Sequence, residues 1–162
     1  MKVTFTRTGD KRYRIDVEGA GVVASFMDPA AGYDEKLPHD MAHFVVENTL
    51  GLMGGVFGQL ASGGHAHTFR PVEEPKNSRA KKRGDRISTA SRHDAALAER
   101  VIFRAQRTWM KGDMTDVPNV RDVSDRDLER VCQEFERVSA IWSQLKVGDS
   151  MSLAWTAVAK RR

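Results

Sequence analysis

Apolar and polar residues alternate at the start of the chain. Val3 and Phe5 interleave with Thr4 and Thr6, and after Gly9-Asp10-Lys11 the residues Tyr13, Ile15 and Val17 interleave with Arg12, Arg14 and Asp16. A period of two with one polar face predicts half-buried antiparallel strands, and the intervening glycine and aspartate predict a hairpin turn. A third strand is expected at Val22–Met27, after the break at Glu18-Gly19-Ala20-Gly21. The period then changes. From Pro38 to about Leu50 the apolar positions follow a helical spacing, with the proline suited to a first helical position where its missing N–H costs nothing. The segment Gly51–Gly64 is apolar and glycine-rich. Gly51 with Gly55 and Gly54 with Gly58 are four apart, which predicts a second, tightly packed helix with a smooth face. Two further helices start at Ser91-Arg92-His93-Asp94 and Ser124-Asp125-Arg126-Asp127, both with capping-box character. The second carries the stripe Leu128, Val131, Cys132, Phe135, Val138, Trp142 and Leu145 and is expected to end near Gly148. Met151, Leu153 and Trp155 alternate with small polar residues and predict a closing strand.

Strands followed by helices and a last strand imply an α+β fold: a small antiparallel sheet of three N-terminal strands plus a C-terminal strand, with helices packed on one face. Which strand the last one joins is not encoded in the pattern. At 162 residues the chain fits a single domain with a core of its own. The uncharged run around the glycines, Thr49–Ser62, is about fourteen residues, short of the roughly twenty needed to span a bilayer, so no membrane association is expected. The lone cysteine, Cys132, excludes an internal disulfide and falls on an apolar stripe, as an inert core thiol would. With no apolar leader at the N-terminus, a cytoplasmic location is expected.

Net charge is +4, yet the excess is local. Between Arg70 and Arg92 eight basic residues stand against three acidic ones, so the basicity belongs to one segment. That segment, about 70–90, is expected to be a flexible basic loop. Its residues Arg79, Lys81, Lys82, Arg83 and Arg86 could hold phosphate backbones by charge alone, without the interleaved aromatics that base stacking uses.

The residues with most chemistry lie in Leu37–Glu47, LPHDMAHFVVE. On a helix, His39 and His43 are neighbours one turn apart and can share one metal ion. The spacing is that of the HExxH zinc helix with Asp40 in place of glutamate, one methylene short for a general base, and Thr49 stands where a third histidine would continue the metzincin pattern. Glu47 is two turns from His39, roughly 12 Å along the axis, and so could share an ion with His43 but not with both. A helical wheel gives two apolar faces: Met41, Phe44, Val45, Asn48 and Leu52 on one, His39, His43, Val46 and Leu50 on the other. Burial in the middle of the molecule or at a subunit contact follows. His65 and His67, alternate residues on an extended strand, would point the same way and could complete a cluster with His39 and His43, holding zinc or another transition metal.

The segment resembles a group of small uncharacterised bacterial proteins with a Leu-Pro-His-Asp-x-x-His-x-x-Val-Glu core after a short β-rich start. The likeness covers about Lys11 to Gly55, and it implies no activity, since none is known for the group. No nucleophile elbow, phosphate-binding loop or paired CxxC is present. The sequence therefore favours a binding or interaction protein, acting on a protein partner or its own copy, over an enzyme. The first alternative is a metal-binding protein or metal-dependent hydrolase using His39 and His43, with Asp40 or Glu47 as general base. The second is non-specific nucleic-acid binding through the basic loop.

Overall fold

The computed structural model describes residues 1–73, 92–111 and 123–157. The basic positions Arg79, Lys81, Lys82, Arg83 and Arg86 lie outside the described residues. Five antiparallel strands form one sheet: β1 (Lys2–Gly9), β2 (Arg12–Glu18), β3 (Ser25–Met27), β4 (Arg70–Pro71) and β5 (Ser150–Ala154), in the order β4-β3-β2-β1-β5. Among the described residues four helices accompany it: α1 (His39–Leu50), α2 (Val56–Ala61), α3 (Arg92–Lys111) and α4 (Asp125–Trp142). The α+β class read from the alternation is the class observed. Among the described residues, no helix is long and apolar enough to cross a membrane.

The choice that the pattern left open is settled by register. The closing strand pairs with β1, Val3 opposite Leu153 and Phe5 opposite Met151, so the side chains that alternate inward on both strands meet on one face. The same inward set continues across Tyr13, Ile15 and Val17 of β2, all buried, as a period of two requires. The polar set faces outward, where the hydroxyls of Thr4 and Ser152 hydrogen-bond at 2.9 Å.

Three expectations need correction. The basic loop does not begin at Arg70: Arg70 and Pro71 pair with Phe26 and Ser25 as the edge strand β4. An edge is where a proline, lacking an N–H to give to a ladder, is tolerated. His65-Ala66-His67 is not a strand but the approach to a turn closed by Phe69 N–H donating to the Ala66 carbonyl at 2.9 Å. Burial of Ala66 and Phe69 dictates that turn, with Phe69 stacked edge-on against Phe57 at 5.9 Å. The glycine-rich segment yields only the six residues of α2. Gly51 ends α1 in the left-handed conformation, φ 68°, its N–H returning to the Glu47 carbonyl, which is a common helix stop. Two smaller differences are that Pro38 precedes the first helical residue and that α4 stops at Trp142.

α1 is the centre of the packing. Met41 through Glu47 are buried without interruption, and α1 touches α2, α3 and α4. Its first face meets the sheet and α2: Phe44 stands edge-on to Phe5 of β1 at 6.4 Å and to Phe57 of α2 at 5.3 Å. The opposite face carries His43, whose Nε2 lies 3.2 Å from Glu99 Oε1 of α3. Two apolar faces thus mean a helix between the sheet and a second layer. α4 closes the core with Leu128, Val131, Phe135, Val138 and Trp142, and its Trp142 indole N–H donates to the Asp34 carbonyl at 3.0 Å, so the one polar atom of that ring is satisfied.

Candidate metal centre

His39 and His43 stand one turn apart at the start of α1, with ring centroids 4.7 Å from each other. The chain reaches that start through a fixed loop. Asp34 Oδ1 accepts from the N–H groups of Lys36 and Leu37 at 2.7 and 2.8 Å, an aspartate turn of the usual kind. The Gly32 carbonyl accepts from the His39 N–H at 3.0 Å. Gly32 has φ +66°, and a Cβ there would lie 2.7 Å from the Cβ of His39, so only glycine lets this loop lie against the first histidine.

A third group comes from a helix that is distant in sequence. Glu99 of α3 places Oε1 3.2 Å from His43 Nε2 and Oε2 4.0 Å from His39 Nε2. His39, His43 and Glu99 each offer a ligand atom within 4.8 Å of the others, the single such group of three among the described residues. A tetrahedral ion with bonds of about 2.0–2.1 Å holds its ligands about 3.3 Å apart. His43 and Glu99 already stand at that separation, and His39, with half its side chain exposed, is free to close the remainder.

His43 is the buried member, and its orientation is fixed from behind. Its Nδ1 lies 3.3 Å from Glu47 Oε1, which leaves Nε2 turned to Glu99. A carboxylate on one imidazole nitrogen selects the tautomer that presents the other nitrogen to a metal. Glu47 is itself fully buried. Its oxygens accept three backbone N–H groups at the start of α2: Val56 at 3.0 Å, Phe57 at 2.7 Å and Gly58 at 3.1 Å. These are groups that a helix of this length cannot satisfy internally. Gly55 makes room for them, since a Cβ there would sit 2.1 Å from Glu47 Cδ. Gly55 is thus explained by a carboxylate that holds the buried histidine, whereas Gly58 is required by the backbone of Leu52 and Met53, which a Cβ there would meet at 2.2 and 2.6 Å.

The local field is negative. Burial works against protonation of His43, but the hydrogen bond and charge of Glu47, then Glu99 and Asp40, outweigh it and raise its pKa above the ordinary value of 6.5. Asp40 faces elsewhere: its Oδ2 is 2.6 Å from the Tyr13 hydroxyl, which also lies 2.5 Å from the Ala31 carbonyl. Burial raises the Asp40 carboxyl above its usual range, against the Tyr13 hydrogen bond and the two imidazoles. Burial and the neighbouring Asp40 also push the Tyr13 phenol up.

Of the residues singled out from sequence, the fold brings His39 and His43 together and sets Glu47 behind the second. Asp40 is committed to Tyr13. His65 and His67 are not in the group of ligand atoms within 4.8 Å; His65 lines a small crevice with Val23, Leu60 and Pro71 at the β3–β4 edge, and His67 is exposed. Glu99 was not legible, and Gly55 was legible only as a small residue of a tightly packed segment, not as the space for Glu47. Glu99 is one of many acids on an amphipathic helix, and only the packing of α3 on α1 distinguishes it from its neighbours. The chain matches no protein-family model, no curated protein and no solved structure.

Proposed function

We propose that the protein binds one divalent transition-metal ion, zinc or a similar borderline cation, through His39, His43 and Glu99. The observation that supports this most directly is the two-sided coordination of His43. One nitrogen is held by the buried Glu47 carboxylate, which is itself anchored by the N–H groups at the start of α2, and the other faces a second carboxylate beside a second imidazole. Three protein ligands of this type leave at least one coordination position open. An ion held so acts as a Lewis acid: it lowers the pKa of a bound water toward neutrality or polarises a carbonyl. Asp40, engaged with Tyr13, is not placed as the general base of an HExxH enzyme, so the reading is a metal centre with an open face, without a commitment to proteolysis. No observation among the described residues supports the nucleic-acid alternative.

The test is zinc titration by calorimetry on protein purified without a histidine tag. About one equivalent is expected to bind. Glu99→Gln and His39→Ala, both at exposed side chains, are expected to weaken binding by at least about tenfold to a hundredfold while the metal-free protein melts as before. His67→Ala is expected to leave binding unchanged. Absence of stoichiometric zinc, or equal affinity in the Glu99 and His39 variants, overturns the proposal.

A further inference from the structure

A cavity of about 570 Å³ borders His39. It lies between the loop that carries Tyr33 and Leu37 and the C-terminal half of α3, with Gln106, Trp109 and Met110 along its wall. Resting on the reading of His39, His43 and Glu99 as a metal centre, we propose that this cavity is the ligand pocket of that centre. Its ligand is a small organic anion with a flat apolar body, the anionic head on the metal and the body along α3.

The geometry of α3 connects the two. At 100° per residue, Gln106 and Met110 lie about 20° to either side of Glu99 around the helix axis, and Gln106 is roughly 10 Å further along it. The cavity wall therefore continues the same line of the helix that supplies the carboxylate ligand, and His39 belongs to both the triad and the cavity. The volume falls within the range that holds small organic molecules.

The walls fit an apolar, planar body. Trp109 is held in place from behind, edge-on to Phe135 at 5.9 Å with its indole N–H donating to Glu136 at 2.7 Å, so its orientation is set before a ligand arrives. Met110 is 69% exposed, an apolar side chain left in water that a ligand would cover, and methionine adapts readily to aromatic partners. Tyr33 supplies a second ring, tilted 58° to Trp142 at 6.4 Å.

Coordination selects the head group. The open position of the ion takes a donor atom directly, and an anionic oxygen bonds to a dication even with Glu99 as ligand and Glu47 behind His43. Lys36 adds a cation at the cavity. Asp34 and Glu35 also line it, but one Asp34 oxygen is committed to the backbone N–H groups of Lys36 and Leu37.

The experiment compares two probes that share a metal-binding head, acetohydroxamate and benzohydroxamate, titrated into the zinc-loaded full chain with tryptophan fluorescence and calorimetry as readouts. Burial of the phenyl ring predicts at least about tenfold tighter binding of benzohydroxamate. Gln106→Glu, two turns of α3 beyond Glu99 and within reach of the phenyl ring, is expected to abolish that preference while zinc affinity stays the same. Equal affinity of the two probes for zinc-loaded protein, or a preference that survives Gln106→Glu, overturns the pocket and leaves the metal centre standing. Failure of zinc itself to bind removes both.

Discussion

Gly55→Ala is the sharpest perturbation of the arrangement behind His43. Gly55 has φ −71° and ψ 178°, extended backbone that alanine adopts without strain, so conformational preference predicts almost no cost. Sterics predict the reverse. The new Cβ would stand 2.1 Å from Glu47 Cδ and 2.5 Å from each carboxylate oxygen, so the carboxylate or the start of α2 must move. Three buried N–H groups converge on that carboxylate, and hydrogen bonds to a charged acceptor contribute about 1.5–3 kcal/mol each. A displacement that breaks one or two of them costs about 3–5 kcal/mol. For a chain of this size that lowers the melting temperature by about 10 °C. Gly21→Ala is the control: φ is +75° and nothing lies within 4 Å, so it carries only the left-handed penalty of about 1–2 kcal/mol. Urea unfolding followed by tryptophan fluorescence measures both. Zinc affinity of Gly55→Ala should fall about tenfold or more as His43 loses its fixed acceptor. A Gly55→Ala protein as stable as Gly21→Ala, with unchanged zinc affinity, refutes the role assigned to Glu47.

Zinc affinity is expected to depend on pH through His43. Its folded pKa is raised above 6.5, so its protonated form stabilises the metal-free fold below that pH, and this contribution disappears as pH rises through the folded value. Zinc must displace the same proton, so affinity should climb by about one decade per pH unit below the folded pKa and level off above it; a flat profile across that range contradicts the assignment. Ser124→Ala removes the hydroxyl that accepts the Asp127 N–H at the start of α4. It is expected to cost about 1 kcal/mol in urea unfolding with no change in zinc affinity; a change in zinc binding would mean that α4 shapes the centre in a way its contacts do not show.

What the sequence determined by itself is what local periodicity can carry. Val3, Phe5, Tyr13, Ile15 and Val17 declare their strands because a pleated strand turns alternate side chains to one face. Ser124 marks the start of α4 because its hydroxyl serves a donor three residues away. The two faces of α1 follow from 100° per residue, and with them the nearness of His39 to His43. Tertiary structure decided everything that depends on elements meeting. The partner of the last strand came from matching inward faces across β1, since alternation alone is compatible with any of the three neighbours. His65 and His67 were separated from the pair because Ala66 and Phe69 bury and force a turn, a packing demand that outweighs the extended spacing. Glu47 became the support of His43 because α2 offered three unpaired N–H groups beside it, and Glu99 became the third member of the site because α3 lies across α1. Glu47 carried a local signal in its four-residue spacing from His43, but Glu99 carried none, since an acid on a helix reads the same whether it faces water or an imidazole until a second helix is laid against it.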